Sequence, residues 1–151
     1  MSQRPSAGRP APFLEQTARL VFPAALVGSI YLLFAGHNQP GGGFVGGLVA
    51  GAAIALRFVA GGIDEVRGLL PVKPWTILGA GVLVAAVTAA VPLLLGEAVL
   101  TSAKVTIDAP LLGTINITSA TAFDVGVYLV VVGVVLMAFE AFGGEPDEQP
   151  S

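Results

Sequence analysis

The sequence contains no cysteine. That removes disulfide frameworks, thiolate metal sites and thiol nucleophiles together, and it leaves the redox compartment unmarked. Charge is nearly as scarce. Asp, Glu, Lys and Arg make up 11% of 151 residues, against about 25% in ordinary globular domains. So few charges cannot cover a water-facing surface. Ten acidic and seven basic residues give a formal net charge of −3, which leaves no basic footprint for nucleic acid. Histidine occurs once, at His37. His37 with Asp124 supplies too few ligands for a metal centre, and no Ser/His/Asp set is recognisable. Neither an enzyme nor a resident cofactor is expected.

What the chain has in excess is apolar sequence, at 54%. A bilayer core of about 30 Å needs roughly 20 mostly apolar helical residues. Four stretches come close, at 17–35, 44–60, 75–95 and 123–142. The polar 1–16 stretch reads as a disordered arm. The apolar run after it is expected to be a retained helix and not a cleaved signal. Lys and Arg then set orientation. Arg4, Arg9 and Arg19 mark the N-terminal side, and Arg67 and Lys73 mark the 61–74 loop. Both are expected in the cytoplasm, as is the acidic 144–151 tail. The 36–43 turn and the 96–122 loop, with only Lys104, are expected outside.

Within that outer loop, Val105 and Ile107 alternate with polar residues, as do Ile115 and Ile117, around a turn holding Pro110 and Gly113. Two period-2 runs around such a turn predict a β-hairpin. The expected fold is therefore an all-α integral membrane protein. It has four transmembrane helices within one 17–143 membrane domain, and an extracytoplasmic β-hairpin between helices 3 and 4.

Glycine is the other abundant residue, and it is concentrated in "GHNQPGGGFVGG" at 36–47. Gly41 to Gly46 match a dinucleotide fingerprint in spacing. That motif belongs after a strand in a soluble βαβ unit, and here an apolar span precedes it. Gly43, Gly47, Gly51 and Ala55 instead repeat every four residues, as do Gly81, Ala85 and Ala89. Such small-residue faces let membrane helices approach closely. Pro40 and the glycines allow a sharp reversal before the second span.

The middle of each span holds no Asp, Glu, Lys, Arg or His. Ion-coupled pumps need such groups inside the membrane, so this chain is not expected to translocate ions alone. Arg57 and Glu140 are the deepest charges: they pair with each other or with residues of a partner subunit, or they snorkel to head groups. His37 is either a proton relay at an outer opening or a strut for the glycine-rich turn. Thr121 and Asp124 have capping-box spacing at the start of the fourth span, so Asp124 is either a helix cap or a cation ligand.

The stretches "GHNQPGGGFVGGLVAGAAIALRF" at 36–58 and "LLGTINITSATAFDVGVYLVVVGVVL" at 111–136 resemble the B subunit of the Mrp-type (Mnh) cation/proton antiporters. The resemblance covers nearly the whole chain after the arm. It implies a four-helix accessory subunit in the plasma membrane of a bacterium. The implied partners are large A and D antiporter-like subunits and small membrane subunits, in an assembly that exchanges internal sodium for external protons. It also carries functional weight over to His37, Pro40 and Phe44. The alternative from the residues alone is a self-sufficient homo-oligomeric small transporter or channel, with His37 and Asp124 at its mouth.

Overall fold

The computed structural model describes residues 12–36, 41–69, 71–94, 104–109 and 113–143. Four long apolar helices carry the fold: α1 (Pro12–Ala35), α2 (Gly43–Leu69), α3 (Pro74–Leu94) and α4 (Ser119–Gly143). Each is long and apolar enough to cross a membrane. Between α3 and α4 the backbone of β1 (Lys104–Ala109) runs antiparallel to β2 (Gly113–Thr118), with Val105 opposite Ile117 and Ile107 opposite Ile115.

Helix starts differ from the sequence boundaries for identifiable reasons. α1 begins at Pro12, so residues 12–16 are helical and not part of an arm. Proline suits a first helical turn, where its missing N–H leaves no broken bond. Glu15 then sits in the positive first turn and pairs with Arg19 one turn on, at 2.6 Å. Pro74 opens α3 in the same way.

The second helix is longer than the 44–60 span. It continues to Leu69 but breaks at Gly62, whose φ of 77° and ψ of −168° are not helical. A positive φ of this kind favours glycine, which has no Cβ to clash. The break re-aims 63–69 so that Ile63 meets the end of α4 at Gly143, and Val66 joins the core.

The packing order is not the chain order. α1 lies on α2, α2 on α4, and α4 on α3. The core is the α2–α4 seam, built from Ala50, Ile54, Val66, Val132 and Leu136, with Phe58 stacked on Phe139 at 4.6 Å between centroids. The outer helices bury little. Val27, Ile30 and Phe34 of α1, and Leu83, Val87 and Val91 of α3, are exposed. In lipid that exposure carries no hydrophobic penalty, because the surrounding tails are as apolar as the side chains.

Close approach is what holds the seams. On α2, Gly43 abuts the Asp124 carbonyl, Gly47 faces Val131 and Tyr128, and Gly51 faces Val135. The neighbouring Gly46 serves α1 instead, set against the Ser29 carbonyl and Leu33. Ala55, one turn beyond Gly51, is half-buried. At the α3–α4 seam the arrangement is reciprocal. Gly81 faces the backbone of Val130 and Gly126, Gly126 faces Ala85, and Gly133 faces Leu78. Gly126 and Gly133 lie seven residues apart, which is one helix face. That spacing is present in the sequence, where the four-residue rows of α2 and α3 are more conspicuous.

A polar link crosses the apolar layer. Ser29, fully buried, donates its hydroxyl proton to the Leu26 carbonyl at 2.9 Å, so the Tyr128 hydroxyl 3.0 Å away donates to Ser29. Bonds of this kind between membrane helices average about 0.6 kcal/mol and reach about 1.7. Tyr128→Phe is therefore expected to lower stability by about that much in a thermal unfolding series. A loss of several kcal/mol would mean that Tyr128 does more than join α1 to α4.

Candidate functional site

The charged groups gather at opposite ends of the helices. At one end they form a connected chain. Glu15 Oε1 accepts from Arg19 at 2.6 Å, Arg19 donates to Glu65 Oε1 at 2.9 Å, and Arg57 pairs with Glu65 Oε2 at 2.7 Å. Glu65 thus places one carboxylate oxygen on each arginine. The chain runs from exposed to buried: the Arg19 side chain is 58% exposed, Glu65 21% and Arg57 15%. Arg57 also lies 5.6 Å from the centre of the Phe22 ring, and its buried Nε has no hydrogen-bond partner.

The glycine pair produces this geometry. Gly62 kinks the helix, and Gly61 leaves the space that the Glu65 side chain occupies, because a Cβ there would collide with the Glu65 Cγ. The pairing of Arg57 with Glu140 is therefore corrected: the partner of Arg57 is Glu65. Glu140 instead lines a pocket with Arg67 and Lys73. From sequence, Glu65 falls in a loop, since "GG" after an apolar run signals a helix end. No periodicity survives a break with positive φ, so no sequence signal links residues 57 and 65. Arg19 enters the sequence argument only as an orientation marker.

At the other end, α1 stops at Gly36, whose backbone abuts Gly42. The Gly42 N–H bonds back to the Leu32 carbonyl at 2.9 Å, and its φ of 99° turns the chain into α2. Gly41–Gly46 thus joins two helices, not a strand and a helix. His37 and Pro40 lie outside the described residues. Phe44, in the first turn of α2, is exposed.

Asp124 stands elsewhere than its spacing predicts. α4 begins at Ser119, so Thr121 and Asp124 are inside the helix and do not form its cap. The Asp124 carboxylate instead faces Gly42, at about 3.5 Å from where a Cβ would stand, beside the start of α2. A carboxylate there stands near the positive dipole end of a neighbouring helix. The glycines permit the approach. Among the described residues no group of three or more His, Cys, Asp or Glu side chains is placed to hold a metal.

Comparison with known proteins fits this architecture. Residues 13–137 match the family model described as a domain related to the MnhB subunit of Na+/H+ antiporter. The chain is 41% identical over 132 residues to the Na(+)/H(+) antiporter B subunit of Bacillus subtilis (strain 168), covering 87% of this chain and 92% of that relative. It is 37% identical over 131 residues to the putative antiporter subunit mnhB2 of Staphylococcus haemolyticus (strain JCSC1435), covering 87% and 93%. A structure of the Mrp complex from Dietzia sp. DQ12-45-1b superposes with a TM-score of 0.72 at 32% identity. That match covers 99% of this chain but 17% of the matched chain, so the likeness is to one part of a longer polypeptide. With most of its length in the family model and two near-full-length relatives above 30% identity, the chain belongs to the family of domains related to the MnhB subunit of Na+/H+ antiporters.

Proposed function

We propose that the chain is an accessory membrane subunit of a multi-subunit antiporter that exchanges cytoplasmic sodium for external protons. It is required for assembly and activity, and it lines part of an ion path at the Asp124 end. One observation carries the accessory role. Among the described residues, the helical stretches 20–35, 43–56, 75–94 and 125–139 hold no Asp, Glu, Lys or Arg, and the buried Arg57 is already paired with Glu65. A coupled exchanger needs ionisable groups within the membrane that change protonation or pairing. Partner subunits supply that chemistry, and the exposed faces of α1 and α3 are where they dock.

In this reading the Arg19–Glu65–Arg57 end, Arg67 and Lys73 face the cytoplasm, as do both termini. The strand pair and Asp124 face outward, following the excess of Lys and Arg on the inner side. The absence of native cysteine makes the sidedness simple to test. A single cysteine at Asp64 should resist an impermeant thiol reagent in intact cells, and one at Thr106 should react.

Purification tests the function. A tag on this chain should recover several larger hydrophobic subunits, and vesicles holding the chain alone should show no sodium-driven proton flux. Flux from the chain alone would establish the self-sufficient transporter instead. Two variants divide structure from transport. His37→Ala should reduce complex abundance if His37 braces the turn, and reduce exchange at normal abundance if it relays protons. Asp124→Asn is expected to lower thermal stability by about 1 kcal/mol, through lost interaction with the α2 dipole. A raised sodium requirement at unchanged stability would make Asp124 a cation ligand.

A further inference from the structure

The described residues contain a pocket of about 260 Å³ between the segment after the Gly62 break, the 71–74 connection and the end of α4. Ile63, Val66 and Leu136 form its apolar wall, and Arg67, Lys73 and Glu140 bring charge to it. Among the described residues neither Arg67 nor Lys73 makes an ion pair. That leaves two unneutralised cations and one carboxylate, a net charge of +1, beside apolar surface. Pro74, the first residue of α3, also borders the pocket, so the positive end of that helix adds to the same potential. Lys73 lies 5.0 Å over the ring of Trp75, a residue type that sits at the head-group level.

We propose that this pocket binds the head group of an anionic glycerophospholipid of the phosphatidylglycerol type. The phosphate lies between Arg67 and Lys73, the head-group hydroxyls donate to Glu140, and the acyl chains run along Ile63, Val66 and Leu136. The net charges of site and lipid are complementary. The volume is below the roughly 300–1,000 Å³ usual for a cofactor or drug-sized ligand, which suits a small head group with its tails left outside. The proposal rests on the membrane reading of the four helices and not on the antiporter reading.

Trp75 is the only tryptophan in the chain and reports on the site directly. The full chain, purified in a neutral detergent, is titrated with nitroxide-labelled phosphatidylglycerol, phosphatidylethanolamine or phosphatidylcholine. Trp75 fluorescence is normalised to the lipid-free value of each variant. Phosphatidylglycerol should quench at several-fold lower mole fraction than the other two, and the difference should shrink in high salt. Arg67→Gln and Lys73→Gln should each raise the phosphatidylglycerol requirement about fivefold, the equivalent of one basic charge at a membrane surface, while Arg67→Lys should retain most of it. Glu140→Gln should leave phosphatidylglycerol binding as tight or tighter. Preferred phosphatidylethanolamine binding that Glu140→Gln abolishes would assign the site to a zwitterionic lipid and overturn the proposal. Equal quenching by all three lipids would overturn it while leaving the membrane reading intact. No quenching by any lipid would overturn both.

Discussion

Gly43→Ala is expected to cause the largest loss of stability of any single-methyl addition in the described residues. A Cβ at Gly43 would fall inside the van der Waals envelope of the Asp124 carbonyl oxygen. The obstructing atom is backbone, so no rotamer change can relieve the clash. The two central helices must separate, and the α2–α4 seam holds the core. Overpacking commonly costs about 1–3 kcal/mol where side chains can shift, and this position should lie at or above that range. Gly81→Ala should also be costly, since its Cβ would stand 2.7 Å from the Val130 nitrogen. Gly28→Ala and Gly79→Ala are the controls, because nothing lies within 4 Å of either added methyl. Thermal unfolding of the purified chain in detergent reads all four. Equal melting of Gly43→Ala and the parent chain would refute the packing. Normal melting of Gly28→Ala with loss of the larger subunits on purification would mark Gly28 as a partner contact.

Glu65→Gln is the second large effect. It leaves Arg57 mostly buried without its counter-charge, next to an Nε that already lacks a partner. Removing one member of a fully buried pair costs about 3–5 kcal/mol. With residual exposure at both side chains, about 2–3 kcal/mol is the expected loss. Arg57→Gln should cost less, since Glu65 keeps Arg19. The double variant should recover much of the loss, giving a coupling of about 1–3 kcal/mol in a double-mutant cycle. The same cycle between Arg57 and Glu140 should give a coupling near zero. A strong 57–140 coupling with none at 57–65 would contradict the pairing.

Much of the architecture is legible because a bilayer writes its constraints locally. Span length follows from membrane thickness, and an unpaired charge mid-span is costly enough to be read as an absence. The four-residue glycine rows are equally readable, since one helix face depends on residue spacing alone. The dinucleotide motif can be rejected for the same kind of reason, because its chemistry needs a strand that the local sequence does not offer. The candidate site is less legible. Glu65 is hidden by the Gly61–Gly62 break, which reads as an ending and is in fact a kink inside the helix. Asp124 has the spacing of a cap for its own helix, yet α4 starts earlier and the carboxylate lies beside Gly42 at the start of α2.

The sequence by itself therefore determined the solvent, the number of spans, the placement of charge at their ends and which faces are small enough for close contact. Tertiary structure decided which helix meets which face. α3 and α4 are apolar on every side, so their hydrophobic pattern carries no direction, and only backbone fit orders the layer as α1, α2, α4, α3. The order then sets the chemistry. α4 meets α2 at Gly43, which brings Asp124 to the start of α2. The Gly62 break folds Glu65 back onto Arg57 and Arg19. Gly43–Asp124 and Arg19–Glu65 join residues far apart in the chain, Arg57–Glu65 joins residues across the break, and at each glycine the absence of a side chain permits an approach without specifying its partner.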